Sequence, residues 1–147
     1  MGGINMRISI GSDHGGYLYK EELVSYLKEL GHEVIDCGTD SLDSCDYPDF
    51  AYECAKLVSE NKVDRGIVVC TSGEGVCITA NKVKGVRCGL CYNDEVSKLT
   101  RLHNDCNMIA FGAKFFPLED VKRWTKNFLE TEFEGGRHQT RVNKIER

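Results

Sequence analysis

The amino-acid sequence predicts a single α/β domain, residues 1–147, built on a parallel sheet of about five strands. Short runs rich in β-branched and apolar residues alternate from end to end with longer segments that have helical periodicity. The run Gly66–Cys70 is almost wholly apolar, which is typical of a strand covered by helices on both faces. A length of 147 residues suits one hydrophobic core, and no repeat or linker interrupts the pattern.

Each strand is predicted from a short apolar or β-branched run that ends at a glycine or a polar segment. The first run is closed by Gly11, and the second is followed by a polar loop. The third has the fewest polar residues of the five. The predicted strands are Met6–Ile10, Glu33–Cys37, Gly66–Cys70, Val86–Cys91 and Asn107–Phe111.

Helices are predicted between the strands and after the last one. The first, Tyr17–Leu30, places Leu23, Val24, Leu27 and Leu30 on one face and ends before Gly31, a common helix stop. A proline or an asparagine marks the start of three others. Two of the remaining helices are one that starts at Pro48 and the segment Cys77–Lys82. A further helix is capped by Asn93 and has on its inner face Val96, Leu99, Thr100 and His103. The last is opened by Pro117 and has on its inner face Leu118, Val121, Trp124 and Phe128. The tail, residues 131–147, is polar and basic.

Composition argues against several classes of protein. The net charge of -4 and the isoelectric point of about 5.6 argue against a nucleic-acid binder, which needs a basic face. No apolar run approaches the roughly 20 residues of a membrane span. The first residues lack the basic and apolar regions of an export signal, so we expect a cytoplasmic protein with no membrane partner.

Eight cysteines raise the question of a metal or disulfide site. Only Cys88 and Cys91 have a C-x-x-C spacing, and neither a second such pair nor a histidine pair accompanies them at ligand spacing. Both lie in a predicted strand, where their thiols would point to opposite faces of the sheet. We therefore expect no metal site and no disulfide framework, and most cysteines are expected to be small buried residues kept reduced.

The segment most informative about chemistry follows the third strand. Ligands of open α/β sheets bind outside the carboxyl ends of the strands, and Cys70–Cys77 lies there. Its two glycines allow a tight turn that presents N–H groups to an anion, and the following helix adds partial positive charge. A thiol facing those groups can act as a general base while the loop stabilises an oxyanion. The alternative is a turn after a buried structural cysteine.

Two histidines are candidates for the same chemistry. His14 follows the first strand beside Asp13, and a histidine near a helix N-terminus suits phosphate or hydroxyl binding, with Asp13 orienting it or a substrate hydroxyl. The alternative is a capping aspartate with a surface histidine. His103 ends the fourth helix, which returns from a parallel strand, so it is expected far from Cys70 in its own subunit. If both are catalytic, a second subunit supplies one of them; the alternative for His103 is a cation favoured by the helix dipole.

An arginine pair lies in the polar tail. Arg137 and Arg141 are four residues apart, so a helical turn would place both guanidinium groups on one face. Two such groups can bind a phosphate dianion through paired hydrogen bonds. The alternative is a solvated basic tail.

Taken together, these segments resemble the type B ribose-5-phosphate isomerases, within a family that also includes allose- and galactose-6-phosphate isomerases. The likeness runs from about Met6 to Val142 and depends on the order and spacing of several stretches. The matching stretches are residues 11–16, 34–39, 46–48, 70–82, 101–105, 111–113 and 134–141.

The resemblance implies an aldose–ketose isomerase that interconverts ribose 5-phosphate and ribulose 5-phosphate through an enediolate. It also implies a Rossmann-like three-layer α/β/α sandwich, no metal or organic cofactor, and a homodimer with shared active sites, or a tetramer built from it. Cys70 matches the base, and His103 matches the residue that assists opening of the furanose ring. The other matches are the substrate-binding Asp13, His14, Tyr47, Thr71, Ser72, Gly73, Glu74, Gly75 and Asn104, and the phosphate-binding His14, Lys114, Arg137 and Arg141.

Three residues depart from the usual pattern of that family. Thr71 stands where a glycine is usual, Glu74 where an apolar residue is usual, and Lys114 where an arginine is usual. Glu74 either alters substrate preference, supplies a second acid–base group or points into solvent. Lys114 loses the bidentate phosphate contact of arginine. The departures leave open the same chemistry on allose 6-phosphate, galactose 6-phosphate or a related pentose or tetrose phosphate.

Two other classes of protein share parts of the pattern. A low-molecular-weight phosphatase needs an arginine near the end of the loop that follows its cysteine, where this chain has Val76. A non-catalytic flavodoxin-like binding module predicts no role for Cys70 or His103. Receiver-type modules also require an acidic cluster after the first strand, where only Asp13 is present.

Overall fold

A computed structural model describes residues 5–147. In this part of the chain five β-strands alternate with six α-helices, and one 3₁₀ turn, His14–Gly16, follows the first strand. The strands are β1 (Arg7–Ser12), β2 (Glu33–Asp36), β3 (Arg65–Cys70), β4 (Cys88–Leu90) and β5 (Met108–Gly112). The helices are α1 (Tyr17–Glu29), α2 (Tyr47–Ser59), α3 (Glu74–Asn81), α4 (Asp94–Leu102), α5 (Leu118–Glu130) and α6 (Arg137–Ile145).

The five strands form one parallel sheet in the order β2-β1-β3-β5-β4. The register brings the carboxyl ends of the central strands to one edge, because Ser12 pairs with Val69 and Cys70 pairs with Gly112. Since each connecting helix runs back across the sheet, the helices between strands start at this carboxyl edge and end at the opposite, amino edge.

Helices cover both faces of the sheet, so the three-layer α/β/α sandwich and the Rossmann-like arrangement are confirmed. The core under α1 and α5 contains Phe111 and Phe128, both fully buried, and α4 packs on α5 at the same face. The core under α2 and α3 contains Val68 and Met108. Burial of each phenylalanine side chain stabilises the fold by about 1.5–3 kcal/mol.

Two expectations about helices are corrected. α3 begins at Glu74 and not at Cys77, because the glycine-rich loop itself winds into the first helical turn. α4 begins after Asn93 as predicted, with the Asn93 side chain accepting the N–H of Val96 at 2.8 Å. Of its predicted inner face only Thr100 is buried, together with Ser97 and Arg101, whereas Val96, Leu99 and His103 are half-buried. The polar tail forms a helix, α6.

The two thiols of the C-x-x-C spacing lie in different layers, as predicted. Cys88 packs in the core under α2 and α3, whereas Cys91 packs in the core under α1 and α5. Among residues 5–147, no helix is both long enough and apolar enough to cross a membrane.

Candidate active site

The carboxyl edge of the sheet collects most of the site residues predicted from the sequence. The loops after β1, β3 and β5 lie side by side there, and α2 starts at the same edge. Ligand sites of open α/β sheets form at this edge. The predicted site residues found here are Asp13, His14, Tyr47, Cys70, Thr71, Ser72, Gly73, Glu74, Gly75 and Lys114.

Cys70 is the last residue of β3 and is only 5% exposed. Its Sγ accepts a hydrogen bond from the backbone N–H of Gly73, with a distance of 3.2 Å. The strand next to it holds the loop from the other side, because the N–H of Ala113 donates to the Cys70 carbonyl at 2.9 Å. An N–H aimed at the sulfur is the contact that a thiolate accepts, so the position suits a group that takes up and returns a proton.

Two glycines of this loop are required by its packing. Gly73 has a φ of +84°, and a Cβ there would lie 2.8 Å from a methyl of Leu90 and from the backbone of Phe111. A Cβ on Gly75 would lie 2.5 Å from the ring of Tyr47. The loop is therefore held between β5 on one side and the start of α2 on the other. Gly73 has no room for a side chain, and Gly75 has room for one only if the exposed Tyr47 ring moves.

The N-terminus of α3 opens toward the same edge. The N–H of Glu74 donates to Ser72 Oγ at 3.2 Å, which shapes the turn. The N–H groups of Gly75 and Val76 follow in the first turn, where an α-helix itself provides no acceptor. Together with the helix dipole, these groups can bind an anionic oxygen. The Glu74 side chain is exposed in that turn, where the dipole favours a carboxylate.

Thr71, which replaces a usual glycine, fits the loop without a left-handed backbone. Among the described non-glycine residues, positive φ values occur only at Asn61 and Asp105. The Thr71 side chain lies over Gly15, where a Cβ would overlap its Oγ1. Lys114 is exposed beside it, and its backbone N–H donates to the Thr71 carbonyl at 3.1 Å.

The orientation of His14 is set by the loop before α2. Its Nδ1 accepts the backbone N–H of Cys45 at 3.2 Å, and the Cys45 thiol lies 3.8 Å from the same nitrogen. With Nδ1 as an acceptor, the neutral ring carries its proton on Nε2, which can donate to a phosphate oxygen. The Asp13 carboxylate accepts the N–H of Gly16 at 3.1 Å, so it caps the 3₁₀ turn and the Cys45 backbone orients the histidine.

The remaining predicted residues lie at the amino edge. α4 ends at Leu102 beside the start of β5, and the N–H of Glu134 donates to the Leu102 carbonyl at 3.1 Å. This bond docks the segment before α6 against the end of α4, so the arginine pair of α6 lies one helical turn apart at this edge. The predicted site residues found here are His103, Asn104, Arg137 and Arg141.

His103 is stacked on a second histidine that the sequence analysis gave no role. The ring centroids of His103 and His138 are 4.3 Å apart, with 14° between the planes. His138 is buried in the first turn of α6, and its Nε2 lies 3.3 Å from Glu134 Oε1. Among residues 5–147, these three side chains form one group that could hold a metal ion, with ligating atoms within 4.8 Å of one another. Membership of the stretch 134–141 was the one signal that could have drawn attention to His138.

Charged side chains hold the amino-edge segments together. Arg101 is buried and donates from Nη1 to Asp105 Oδ1 at 2.7 Å and from Nε to the Thr131 carbonyl at 3.1 Å. Arg87 donates from Nη1 to Glu146 Oε1 at 2.7 Å, at the far end of α6. These bonds tie the end of α4 to the segment after α5, and the C-terminal end of α6 to the loop before β4.

One chain thus carries two groups of predicted site residues at opposite edges of its sheet. The candidate base and the anion-binding loop are at the carboxyl edge, and His103 and the arginine pair are at the amino edge. The topology predicted this separation for His103. All eight cysteines are free thiols. Burial raises the pKa of Cys91 and of Cys106 to about 12, so neither thiol suits proton transfer near neutral pH.

Comparison with known proteins agrees with the fold and with the family that the sequence resembles. Residues 8–145 match the family model described as ribose/galactose isomerase. The chain is 43% identical to ribose-5-phosphate isomerase B of Escherichia coli, with 95% of this chain and 93% of that protein covered. A Clostridium thermocellum ribose-5-phosphate isomerase B structure superposes with a TM-score of 0.95 at 47% identity, covering 96% and 95% of the two chains. A Mycoplasma genitalium ribose-5-phosphate isomerase B structure with bound ribulose-5-phosphate superposes with a TM-score of 0.92 at 39% identity, covering 95% and 93%.

Proposed function

The chain belongs to the ribose/galactose isomerase family, and from this premise we propose that it interconverts ribose 5-phosphate and ribulose 5-phosphate. The observation that carries the proposal is the sulfur of Cys70 at the end of β3, which accepts the Gly73 N–H at 3.2 Å beside the N-terminus of α3. A proton-transfer group and anion-binding N–H groups within one short loop are what aldose–ketose isomerisation requires.

We assign Cys70 the role of the base. In open-chain ribose 5-phosphate its thiolate removes the C2 proton, and the electrons of that C–H bond form the C1–C2 double bond of an enediolate. The C1 carbonyl oxygen becomes the oxyanion. The thiol then returns its proton to C1, the C2 hydroxyl loses a proton to become the ketone, and the oxygen on C1 gains one. No atom is gained or lost overall, so the reaction needs only proton transfer.

The α3 loop is assigned to the oxyanion. The N–H groups of Gly75 and Val76 lie in the first turn of α3, without intrahelical acceptors. Charge that develops on the enediolate oxygen is stabilised by such preorganised donors, which act most strongly where water is excluded. The tight packing of Gly73 and Gly75 keeps these donors in place.

Ring opening is assigned to His103 of a second copy of the chain. His103 lies at the edge opposite Cys70, so a complete site requires that the amino edge of one copy faces the carboxyl edge of another. A two-fold homodimer would then have two equivalent sites, each with Cys70 from one copy and His103 with Asn104 from the other. A tetramer could be built from such dimers without change to the sites.

The phosphate is assigned to cationic and donor side chains at both edges. His14 presents Nε2–H at the carboxyl edge, where Lys114 is exposed. Arg137 and Arg141 are exposed on one face of α6 and would come from the second copy. A phosphate held remotely from C1 and C2 fixes the sugar chain for reaction. We place the reaction in the cytoplasm, since eight free thiols suit a reducing compartment.

One observation favours a second candidate, the same chemistry on another sugar phosphate. Thr71 and Glu74 add exposed side chains to the loop that would face the sugar, and Lys114 offers a point charge for phosphate. A substrate that is longer or carries other hydroxyls could contact these groups. Allose 6-phosphate and galactose 6-phosphate are the six-carbon cases to compare.

A coupled assay across pentose and hexose phosphates tests the proposal. Purified protein is assayed with ribose 5-phosphate, allose 6-phosphate and galactose 6-phosphate, each with the Cys70→Ala variant as control. The proposal expects the highest kcat/KM with ribose 5-phosphate and its loss in the variant. Cys70-dependent turnover of a hexose phosphate, with none of ribose 5-phosphate, would replace the substrate assignment and keep the chemistry.

A further inference from the structure

We propose that His103, Glu134 and His138 form a binding site for a divalent transition-metal ion such as Zn²⁺, and that the bound ion inhibits isomerisation by occupying His103. The site lies at the amino edge, outside the Cys70 loop. The inhibition rests on the proposed function, whereas the binding does not. The two parts can therefore be tested separately.

The three side chains are a suitable donor set. Two imidazole nitrogens and one carboxylate oxygen make up a common protein ligand set for zinc, which leaves a fourth position for water or another ligand. The ligating atoms of His103, Glu134 and His138 lie within 4.8 Å of one another. The three side chains span a range of exposure, with His138 buried, His103 half-buried and Glu134 exposed, so an ion can enter from solvent beside the glutamate.

The second observation is the state of His138. The residue is only 7% exposed, and its Nε2 is a buried atom without a hydrogen-bond partner among residues 5–147. The nitrogen lies 3.3 Å from Glu134 Oε1, within ion-pair distance but out of line for a hydrogen bond. A buried polar nitrogen without a partner lowers stability, and a ligand that satisfies it removes this penalty.

A bound ion requires a modest contraction of the group. Nitrogen and oxygen ligands about 2.0–2.1 Å from a tetrahedral zinc lie about 3.4 Å from one another. The ligating atoms of the three side chains now lie up to 4.8 Å apart, so they must move closer together. Glu134 can make most of this movement, because its side chain is exposed and two glycines, Gly135 and Gly136, follow it in open space. The stacked rings of His103 and His138 need to splay slightly so that their nitrogens converge.

Occupancy of the site removes the proposed chemistry of His103. A ring nitrogen that coordinates a metal ion has its lone pair engaged and cannot accept or donate a proton there. The ion would also draw Glu134 toward His103, the histidine assigned to ring opening. Loss of ring opening is therefore the expected functional result, with the Cys70 loop unchanged.

Imidazole NMR provides the binding test. The chain has four histidines, so two-dimensional ¹H–¹⁵N spectra of the rings are simple to assign by His→Gln variants. On addition of ZnCl₂ we expect the signals of His103 and His138 to move together at one equivalent, before those of His14 and His32. The spectra also separate this site from zinc bound by thiols, because thiol binding leaves both rings unmoved. If zinc binds and the signals of His103 and His138 do not move, the proposal is overturned.

Two matched variants test the carboxylate ligand. Glu134→Gln keeps the size of the side chain and removes the charge, and Glu132→Gln makes the same change two residues away on an exposed residue. Loss of a direct ligand should weaken zinc affinity by about tenfold or more, since even outer-shell partners contribute about 10–100-fold. Calorimetry should show that loss for Glu134→Gln and wild-type affinity for Glu132→Gln. Equal affinities in all three proteins contradict the site.

An activity assay with added zinc separates failure of the metal-site proposal from failure of the proposed function. In the wild-type protein we expect zinc to inhibit ribose 5-phosphate turnover with a midpoint that matches the calorimetric affinity and shifts upward in Glu134→Gln. If zinc shifts the NMR signals of both rings but the metal-free protein has no isomerase activity, the metal site is supported and the proposed function is wrong. If the protein is active and zinc binds at the rings without inhibition, the regulatory part of the proposal is overturned.

Discussion

The chain carries two half-sites, and they are built by different means. One is the Cys70 loop, residues 70–77, at the carboxyl edge, and the other is His103 with α6 at the amino edge. At the carboxyl edge the Cys70 loop is held by hydrogen bonds from backbone N–H groups, by contacts at Gly73 that leave no space for a Cβ, and by the contact of Gly75 with the Tyr47 ring. At the amino edge, His103 and α6 are held by charged side chains, above all Arg101 and Arg87. One half-site depends on shape and the other on charge.

This difference in construction matches the positional precision that each half-site needs. Proton transfer between two carbons and stabilisation of an oxyanion require donors fixed to within a fraction of an ångström, and packed backbone provides that rigidity. Groups that act on a ring oxygen or a phosphate tolerate more movement, and ion pairs between side chains suffice. Changes of shape and changes of charge should therefore affect the two half-sites selectively.

The largest expected effect comes from the base. Cys70→Ala should lower kcat by about 10²–10⁴-fold, the usual contribution of a general base, with the fold retained. Cys91→Ala is the matched control, because that thiol is fully buried and its pKa is raised to about 12 by burial. Steady-state kinetics should show near wild-type kcat for the control. A Cys70→Ala protein that keeps more than half of its kcat would remove Cys70 from the chemistry.

Subunit mixing tests whether the two half-sites meet between copies. Cys70→Ala and His103→Asn proteins should each be nearly inactive, yet after denaturation, mixing and refolding the activity should rise to about a quarter of wild type. The reason is that half of the dimers are mixed, and each mixed dimer has one site with both native residues. If both residues of a site came from one copy, every site would carry a defect and mixing would restore nothing.

A pair of glycine substitutions isolates shape at the carboxyl edge. Gly73 and Gly85 have nearly the same φ, +84° and +83°, but a Cβ contacts Leu90 and Phe111 at the first and nothing within 4 Å at the second. Gly85→Ala should cost about 1–2 kcal/mol from backbone strain alone. Gly73→Ala should cost a further 1–3 kcal/mol, roughly, from overpacking, and should also lower kcat. Urea unfolding and kinetics measure both; equal stabilities would mean that the loop yields to the added methyl.

The sequence predicted the carboxyl edge well because its determinants are local. Strand runs, the glycines of the Cys70 loop and the rule for parallel sheets together indicate which loops meet. The start of α3 was placed three residues late, since Gly73 and Gly75 indicate a loop by propensity, whereas they form the N-cap and part of the first turn of the helix. The orientation of His14 by the Cys45 backbone could not be foreseen, because it joins residues 31 apart.

The amino edge was predicted less well because its contacts are polar and distant in sequence. The pattern of α4 favoured an apolar inner face, but Arg101 is buried there through bonds to Asp105 and to the Thr131 carbonyl. Hydrophobic periodicity carries no information about such partners. The stacking of His138 on His103 likewise depends on where α6 docks, which no local signal in the tail specifies.

Removal of one charge should loosen the amino edge without affecting the Cys70 loop. Asp105→Asn keeps a side chain that tolerates the φ of +47° and loses the ion pair with Arg101 at 2.7 Å. We expect a loss of about 1.5–3 kcal/mol in the free energy of unfolding, the range for a hydrogen bond to a charged group. The rate at which a thiol reagent modifies Cys70 should stay at the wild-type value. A faster rate would show that the two edges are mechanically coupled.

The smallest effect concerns the start of α4, the helix that joins the two edges. Asp94 accepts hydrogen bonds from Arg123 Nε at 2.8 Å and from Trp124 Nε1 at 2.6 Å, and these bonds hold the pKa of its carboxyl below the usual value. A depressed pKa means that the contribution to stability is complete above the unfolded value of about 3.9 and is lost as the pH falls through the folded value. Urea unfolding of wild type and Asp94→Asn should therefore differ at about pH 6 and converge as the pH falls below about 3.9, whereas Glu95→Gln, in the same helical turn, should show no such convergence. A constant difference across that range would mean that the bonds from α5 do not depend on the charge of Asp94.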